Sequence, residues 1–515
     1  MTVSKSLWIN NFQLLLLSLL PAALITGPLI SEIIINIISI FFIIEIYKSK
    51  KYSIFKNILF VLLTSFYLIL IVSLINSEIF SSSALNVFSY IRFILFAFGA
   101  AEILKKNEIN IKYLYYCLSL TIFIVVFDGY IQFFSGENIL GFPKYRRDRL
   151  SGFFNDDLIL GSYILRIIPV LLVLTLFLKN KIGNIFYLNL ILILFSFLLI
   201  CLSGERASFI LMIIFIFVIG ILIDINIRTK ILFLITFLSL ITFVFIFYHN
   251  IFDRYIVQFK DHVFGTKNQK IILRSYGPMF NTALKMFKAN PILGLGPKSY
   301  RYYCDDPDYV SYYPERPIVI DNTLLTIAFS WKEIRNIKID KIYVKKGDII
   351  DFGDKLFLYH FSGDEKKYEF LSKKEGKILD LNYKEGKQYI NKDWFLKLKP
   401  LKSQDRINTY VNSCNTHPHN TYLQLLAETG IVGFIYVFSL FLYILFIICK
   451  HTYNLVFFGK RSFSNLEICL FANFFIILWP LTTTGNFFNN WLNIISFYPL
   501  SFYIYFKLLK NEKSS

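Results

Sequence analysis

Charge is scarce in this chain: Asp, Glu, Lys and Arg supply 17% of its 515 residues, against about 25% in soluble domains. A surface that poor in charge excludes a water-soluble enzyme. Acidic residues are the rarer sign, 35 against 54 basic ones, for a net charge of +19. The excess lies in short connections between apolar segments and in one polar block, so membrane topology accounts for much of it and no nucleic acid partner is expected. The six cysteines follow no metal-ligand spacing: Cys117, Cys201, Cys449 and Cys469 fall in or beside apolar runs, and only Cys304 and Cys414 sit in polar sequence. No small-x-small cleavage site follows the first apolar stretch, so it reads as a retained span rather than a signal peptide.

Apolar runs, by contrast, are abundant. Mean hydropathy is +0.54, and runs of about 18 residues or more, long enough to cross a hydrocarbon core, recur along most of the chain. They fall near 9–26, 29–47, 57–76, 84–104, 113–135, 159–178, 186–202, 206–224, 231–248, 423–449, 464–482 and 489–508. The expected fold is an all-α polytopic membrane protein of about 12 transmembrane helices. Alternate connections carry the cations, among them Lys48, Lys50, Lys105, Lys106, Lys179, Arg228, Lys450 and Lys507. The positive-inside rule puts these connections and both termini in the cytoplasm. Lys144, Arg146, Arg147, Arg149 and Arg206 break that rule by lying on the opposite side, and cations placed there need another reason.

Residues 1–248 thus hold nine spans and 423–515 three more. Between them, 249–331 form a polar external loop in which 267–290 have the apolar spacing of an amphipathic helix. Residues 291–300 (PILGLGPKSY) read as a Gly and Pro turn. Composition then shifts to Lys, Asp, Glu, Gly and β-formers over 332–400. There, VKKGDIIDFGDKLFL from Val344 recurs loosely as YKEGKQYINKDWFLKL from Tyr383, aligning Gly347 with Gly386, Asp354 with Asp393 and Leu356 with Phe395. Two copies of a strand, turn and strand unit imply a small β-module. It resembles the barrel-sandwich hybrid of biotinyl and lipoyl carrier domains without their attachment lysine, and a structural or docking role toward an envelope protein is expected.

The polar residues expected on the external face are KYRRDRLSGFFND (144–156), SGERAS (203–208), Arg274, NPILGLGPKSYR (290–301) and THPHNTYLQLLAETGIVG (416–433). His419 and Asn420, nine further residues, then Gly430, Ile431, Val432 and Gly433 are the most specific piece. With the R-L-S-G segment at Arg149, Arg206 and the P-x-x-G-x-G turn, this set resembles the O-antigen ligase and O-antigen polymerase superfamily over about 145–435. The resemblance implies a glycosyltransferase of the bacterial inner membrane, metal-independent and inverting. It would use an undecaprenyl diphosphate-linked glycan as donor, lipid A-core or another glycan as acceptor, surrounding membrane lipids and no cofactor. The relevant loop would be periplasmic.

Chemistry makes the same residues intelligible. A departing diphosphate needs permanent, forked cations, for which Arg147, Arg149, Arg206 and Arg274 are the candidates. An acceptor hydroxyl needs a base near neutral pH, and His419 is that candidate. Asn420, His417, Glu428, Gly294 and Gly296 are read as supporting residues. His417 shapes the turn around Pro418, and a metal held by the two histidines is not expected, since no further ligand cluster accompanies them. Cys304 and Cys414 flank the β-module and are candidates for a disulfide. Within the spans, Arg92, Asp128 and Arg166 must pair or face a cavity, with Arg92 and Asp128 a possible pair. Two other functions compete with ligation: a polymerase that joins lipid-linked repeat units, and a transporter of a lipid-linked sugar.

Overall fold

The computed structural model describes residues 2–77, 79–144, 149–264, 276–311, 325–328, 336–351, 354–363, 367–372, 376–390, 394–399 and 414–514. Each expected apolar run forms a helix: α1 (Thr2–Ala23), α2 (Pro28–Ser49), α3 (Ile58–Ser73), α4 (Phe80–Lys106), α5 (Ile111–Ser135), α6 (Leu160–Phe177), α7 (Ile185–Leu202), α8 (Arg206–Leu222) and α9 (Ile227–Phe247). After the loop helix α10 (Gly277–Ala289) come α11 (Thr421–Phe458), α12 (Asn465–Ile477) and α13 (Asn490–Ser514). Nine helices among the described residues are long and apolar enough to cross a membrane, and the first, eighth and penultimate expected spans appear as shorter apolar helices. The protein is a polytopic membrane protein.

Local signals set several helix ends. Asn57 accepts the Leu59 N–H at 2.9 Å to start α3, and Ser464 with Glu467 closes a reciprocal capping box at α12. Nearly every side chain of α6 from Leu160 to Thr175 is buried, with α7, α12 and α13 packed around it. α4 is likewise enclosed by α2, α3 and α13. Phe217, Phe247 and Phe446 point outward and exposed, an arrangement hydrocarbon tolerates and water penalises. The amphipathic loop helix is α10: Pro278, Met279, Thr282, Ala283 and Met286 form its buried stripe. Residues 267–275, the first part of the segment expected to be helical, lie outside the described residues.

The chain divides into two compact units, 1–311 with 412–515, and 312–411. In the second, β1 (Leu325–Ala328), β2 (Asn336–Ile342), β3 (Ile349–Ile350), β4 (Lys355–Phe361), β5 (Tyr368–Leu371), β6 (Gly376–Leu381), β7 (Gln388–Ile390) and β8 (Trp394–Lys399) form two four-stranded antiparallel sheets. Their orders are β1-β8-β6-β3 and β5-β4-β2-β7. The loose repeat in sequence is a repeat in hydrogen bonding: Gly347 N donates to Ile378 O, and Gly386 N to Ile339 O, at 2.9 and 2.8 Å. Tyr343 N to Leu356 O is matched by Asn382 N to Phe395 O, and Phe357 and Phe395 pack in the shared core with ring centroids 4.1 Å apart and planes tilted by 52°. Asp393, aligned above with Asp354, lies outside the described residues.

Candidate functional site: a histidine turn and an arginine group at one end of the bundle

The two glycine motifs are halves of one joint. At Gly430 (φ 63°, ψ −163°) the helix α11 breaks. Ala427 and Glu428 would ordinarily offer their carbonyls to N–H groups four residues on. Instead Leu295 N donates to Ala427 O and Gly296 N to Glu428 O, both at 3.0 Å, while Ile431 N turns to Pro291 O at 2.8 Å. A Cβ at Gly430 would stand 2.2 Å from Ile292 O, and one at Gly294 would stand 2.4 Å from the Glu428 carbonyl carbon. Glycine is therefore demanded by contact as well as by its positive φ. Gly294, Gly296 and Glu428 build this joint.

The Glu428 carboxylate completes it. Fully buried, it accepts N–H groups from Lys298 (2.9 Å) and Tyr300 (3.0 Å) and the side-chain amide of Gln424 (3.0 Å). Gln424 also donates to Asn486 and accepts from Phe487 N, and Asn486 donates to Thr416 O. A chain of hydrogen bonds thus runs from the glycine joint to the histidines.

Asn420 caps α11, accepting Tyr422 N and Leu423 N and donating to Pro480 O at 2.9 Å. His419, just outside the cap, has φ 56° and offers its carbonyl to Thr484 N at 3.0 Å. The His417 and His419 rings lie 4.2 Å apart, and Tyr276 stands edge-on to His419 at 5.6 Å. His417 is pinned at both nitrogens, donating from Nε2 to Thr484 O and accepting at Nδ1 from Thr416 Oγ1. Half-buried His419 accepts the Asn415 amide at Nε2, at 3.2 Å, and also interacts with the Thr484 backbone. Burial, with His419 and Arg301 nearby, pushes His417 down to about 4, and burial lowers His419 as well. Both imidazoles are neutral at pH 7. Cys304 and Cys414 are joined as a disulfide, Cα atoms 4.9 Å apart and 110 positions apart in sequence.

The second group surrounds Glu205. This buried carboxylate accepts Gly161 N (2.6 Å), Ser162 N (3.1 Å) and Ser208 Oγ (2.9 Å), so it caps α6 from the α7–α8 joint. Leu150 N donates to Ser203 O and brings Arg149 within electrostatic reach of Glu205, as is Arg166. Arg254 Nε donates to Gly204 O at 2.5 Å, and Arg206 Nη2 to Gln258 at 3.1 Å. Tyr163, beside the Glu205 contacts, is 6.5 Å from Trp491, which opens α13 after the loop that holds the histidines. The two groups therefore occupy the same end of the bundle, carried by different helix joints. Arg147 and Arg274 lie outside the described residues.

The expected pairing of Arg92 with Asp128 does not occur. Arg92 bonds Glu32 at 2.9 Å, while Asp128 accepts Ile139 N and the Asn138 amide and so fastens the α5–α6 loop. The chain carries a carboxylate nearer to each need than sequence order suggests. Arg254, Tyr276 and Thr484 are site neighbours that motif reading misses, and Lys298 and Arg301 lie in the quoted 290–301 segment without a role assigned from sequence. Arg254 and Arg301 at least shared the signal that exposed Arg149, a cation on the side the positive-inside rule leaves poor in them.

Residues 190–331 match the family model described as O-antigen ligase. The matched stretch contains Arg206, Gly294 and Gly296, and ends before the histidine turn. No curated protein and no solved structure matches the chain.

Proposed function

We propose, from the match of residues 190–331 to the O-antigen ligase family model, that the chain transfers a glycan from undecaprenyl diphosphate to an acceptor hydroxyl at the periplasmic face, with lipid A-core as the acceptor. The matched family supports a glycosyltransferase-like enzyme acting on lipid-linked glycans in a multi-pass membrane protein. The finer reading rests above all on one observation: a neutral, half-buried His419 held in a strained turn at the bundle end that also carries Arg149 and Arg206.

In the proposed step His419 Nε2 takes the acceptor proton as the acceptor oxygen bonds the anomeric carbon. The bond from that carbon to the diphosphate breaks on the opposite face, its electrons leave on the diphosphate oxygen, and configuration inverts. Arg149 and Arg206, with Arg147 and Arg274, grip the departing charge; no metal takes part. A positioned base contributes on the order of a hundred to ten thousand fold, and fixed donors aimed at developing charge contribute at least as much. The cytoplasmic placement of both termini follows from the lysines of the opposite connections, and the β-module is read as a docking surface for an envelope protein.

The test is product size. Purified protein in lipid vesicles receives a lipid-linked oligosaccharide with either lipid A-core or more donor. One conjugate on lipid A-core supports ligation, a ladder on the polyprenyl carrier would reassign the chain as a polymerase, and no new glycosidic bond would remove the enzymatic reading in favour of transport.

A further inference from the structure

Three positions in the 291–300 turn have left-handed backbone: Gly294 (φ 67°), Gly296 (φ 97°) and Lys298 (φ 62°). The first two are glycines forced by close contact with Glu428 and Ser77. The third is a lysine, a residue that enters this region only against steric resistance. Its backbone is locked there by Glu428, which accepts both Lys298 N and Tyr300 N. The side chain is directed inward, where Nζ donates to Asn86 Oδ1 at 2.6 Å in the early part of α4.

Its charged surroundings are mixed. Arg301 and Arg92 raise the local positive potential, while Glu428 and Glu32 lower it. Both acids are already engaged, Glu428 by two backbone N–H groups and Gln424, and Glu32 by Arg92 at 2.9 Å. Arg301 also acts on His417, and the Lys298 turn is joined to His417 by hydrogen bonds through Glu428, Gln424, Asn486 and Thr416, so this turn borders the histidine segment.

We infer that Lys298 and Arg301 form an anion subsite on the turn that is hydrogen-bonded to the histidine segment, a subsite that receives a phosphate group of the acceptor glycolipid and is distinct from the arginines that hold the donor's diphosphate. The inference rests on the proposed transferase reading and adds to it how the acceptor is chosen. A base must touch the acceptor, so cations on the turn that borders the histidine segment meet the acceptor's own charges, whereas the donor's diphosphate departs toward the arginine group. Burial together with Arg301 lowers the Lys298 ammonium, and an arriving phosphate would relieve that repulsion. Forked and point-charge cations side by side suit a phosphate monoester.

Backbone geometry supplies a clean variant, since Lys298→Gly removes the ammonium while easing the left-handed strain. Binding is measured with His419→Ala protein in nanodiscs, so that turnover plays no part. The probes are phosphorylated lipid A-core, the same glycolipid after phosphatase treatment, and undecaprenyl diphosphate. The parent is expected to prefer the phosphorylated glycolipid by tenfold or more, and adding Lys298→Gly or Arg301→Gln should cut that preference at least fivefold, with Lys298→Arg restoring most of it. Weakening of undecaprenyl diphosphate alone would move the subsite to the donor and overturn the inference. Equal binding of both glycolipids by the parent would also overturn it, as would an unchanged preference in the variants. Absence of glycan transfer by wild-type protein in the vesicle assay, with this preference intact, would refute the transferase reading and leave the subsite standing.

Discussion

Two buried carboxylates organise the same end of this bundle by the same device and for different purposes. Glu205 accepts the first N–H groups of α6, and Glu428 accepts the N–H groups of Lys298 and Tyr300. In both places a glycine lets backbone approach: Gly161 packs against Ser203 and Glu205, and Gly294 against Glu428 and Thr429. Around Glu205 the neighbours are guanidinium groups whose charge is permanent. Around Glu428 they lead, through Gln424 and Asn486, to imidazoles that titrate. One joint therefore fixes charge and the other is fit to move a proton.

The largest effect expected from breaking this pair is at Glu205. Glu205→Ala orphans two backbone N–H groups and a hydroxyl, at about 1–3 kcal/mol for each buried donor, and leaves Arg149 and Arg166 without their carboxylate. The expected outcome, read by thermal unfolding in detergent, is a protein that melts far below wild type or fails to accumulate. Glu428→Ala should cost less, because the backbone carbonyls of positions 427 and 428 keep their bonds to Leu295 and Gly296 and still hold that joint together. Equal losses would erase the distinction between the two joints.

The titrating joint sharpens the comparison through pH. Because burial lowers His419, its base form persists as pH falls, and the acid limb of kcat/KM should lie below the ordinary histidine value of about 6.5. Arginine substitutions should change the height of that profile without shifting the limb. A limb above pH 7 that moves with Arg149→Gln would contradict the division of roles.

A smaller effect is expected from the β-module. Residues 312–411 form their own unit, and the disulfide ties the chain together just outside both of its ends. Replacing 312–411 by a short Gly-Ser linker should keep the histidine turn and leave transfer within about threefold of wild type while the disulfide is intact; a three-fold change is under about 1 kcal/mol. Complete loss of transfer from a protein that still folds would show that the module shapes the site.

Much of this was legible in the sequence, for reasons that differ by element. All twelve apolar runs became helices because hydrocarbon leaves the backbone no alternative, although α11 runs on to Phe458 and α12 stops at Ile477. The H-N-x9-G and P-x-x-G-x-G patterns were visible as separate turns; that they exchange hydrogen bonds with each other was not, since neither pattern encodes its partner. The Cys304–Cys414 bond was legible because only those two cysteines are polar in context. Arg92 misled because Glu32, on a neighbouring helix, was closer than the acid that seemed to face it. Lys298 was silent, for its backbone conformation exists only once Glu428 has captured the turn.

Single-turnover glycan transfer by His419→Ala in lipid vesicles, at saturating donor and acceptor, tests the central claim most directly. The account predicts a fall of about a hundredfold or more, with insertion and donor binding unchanged. Transfer at the wild-type rate would contradict it.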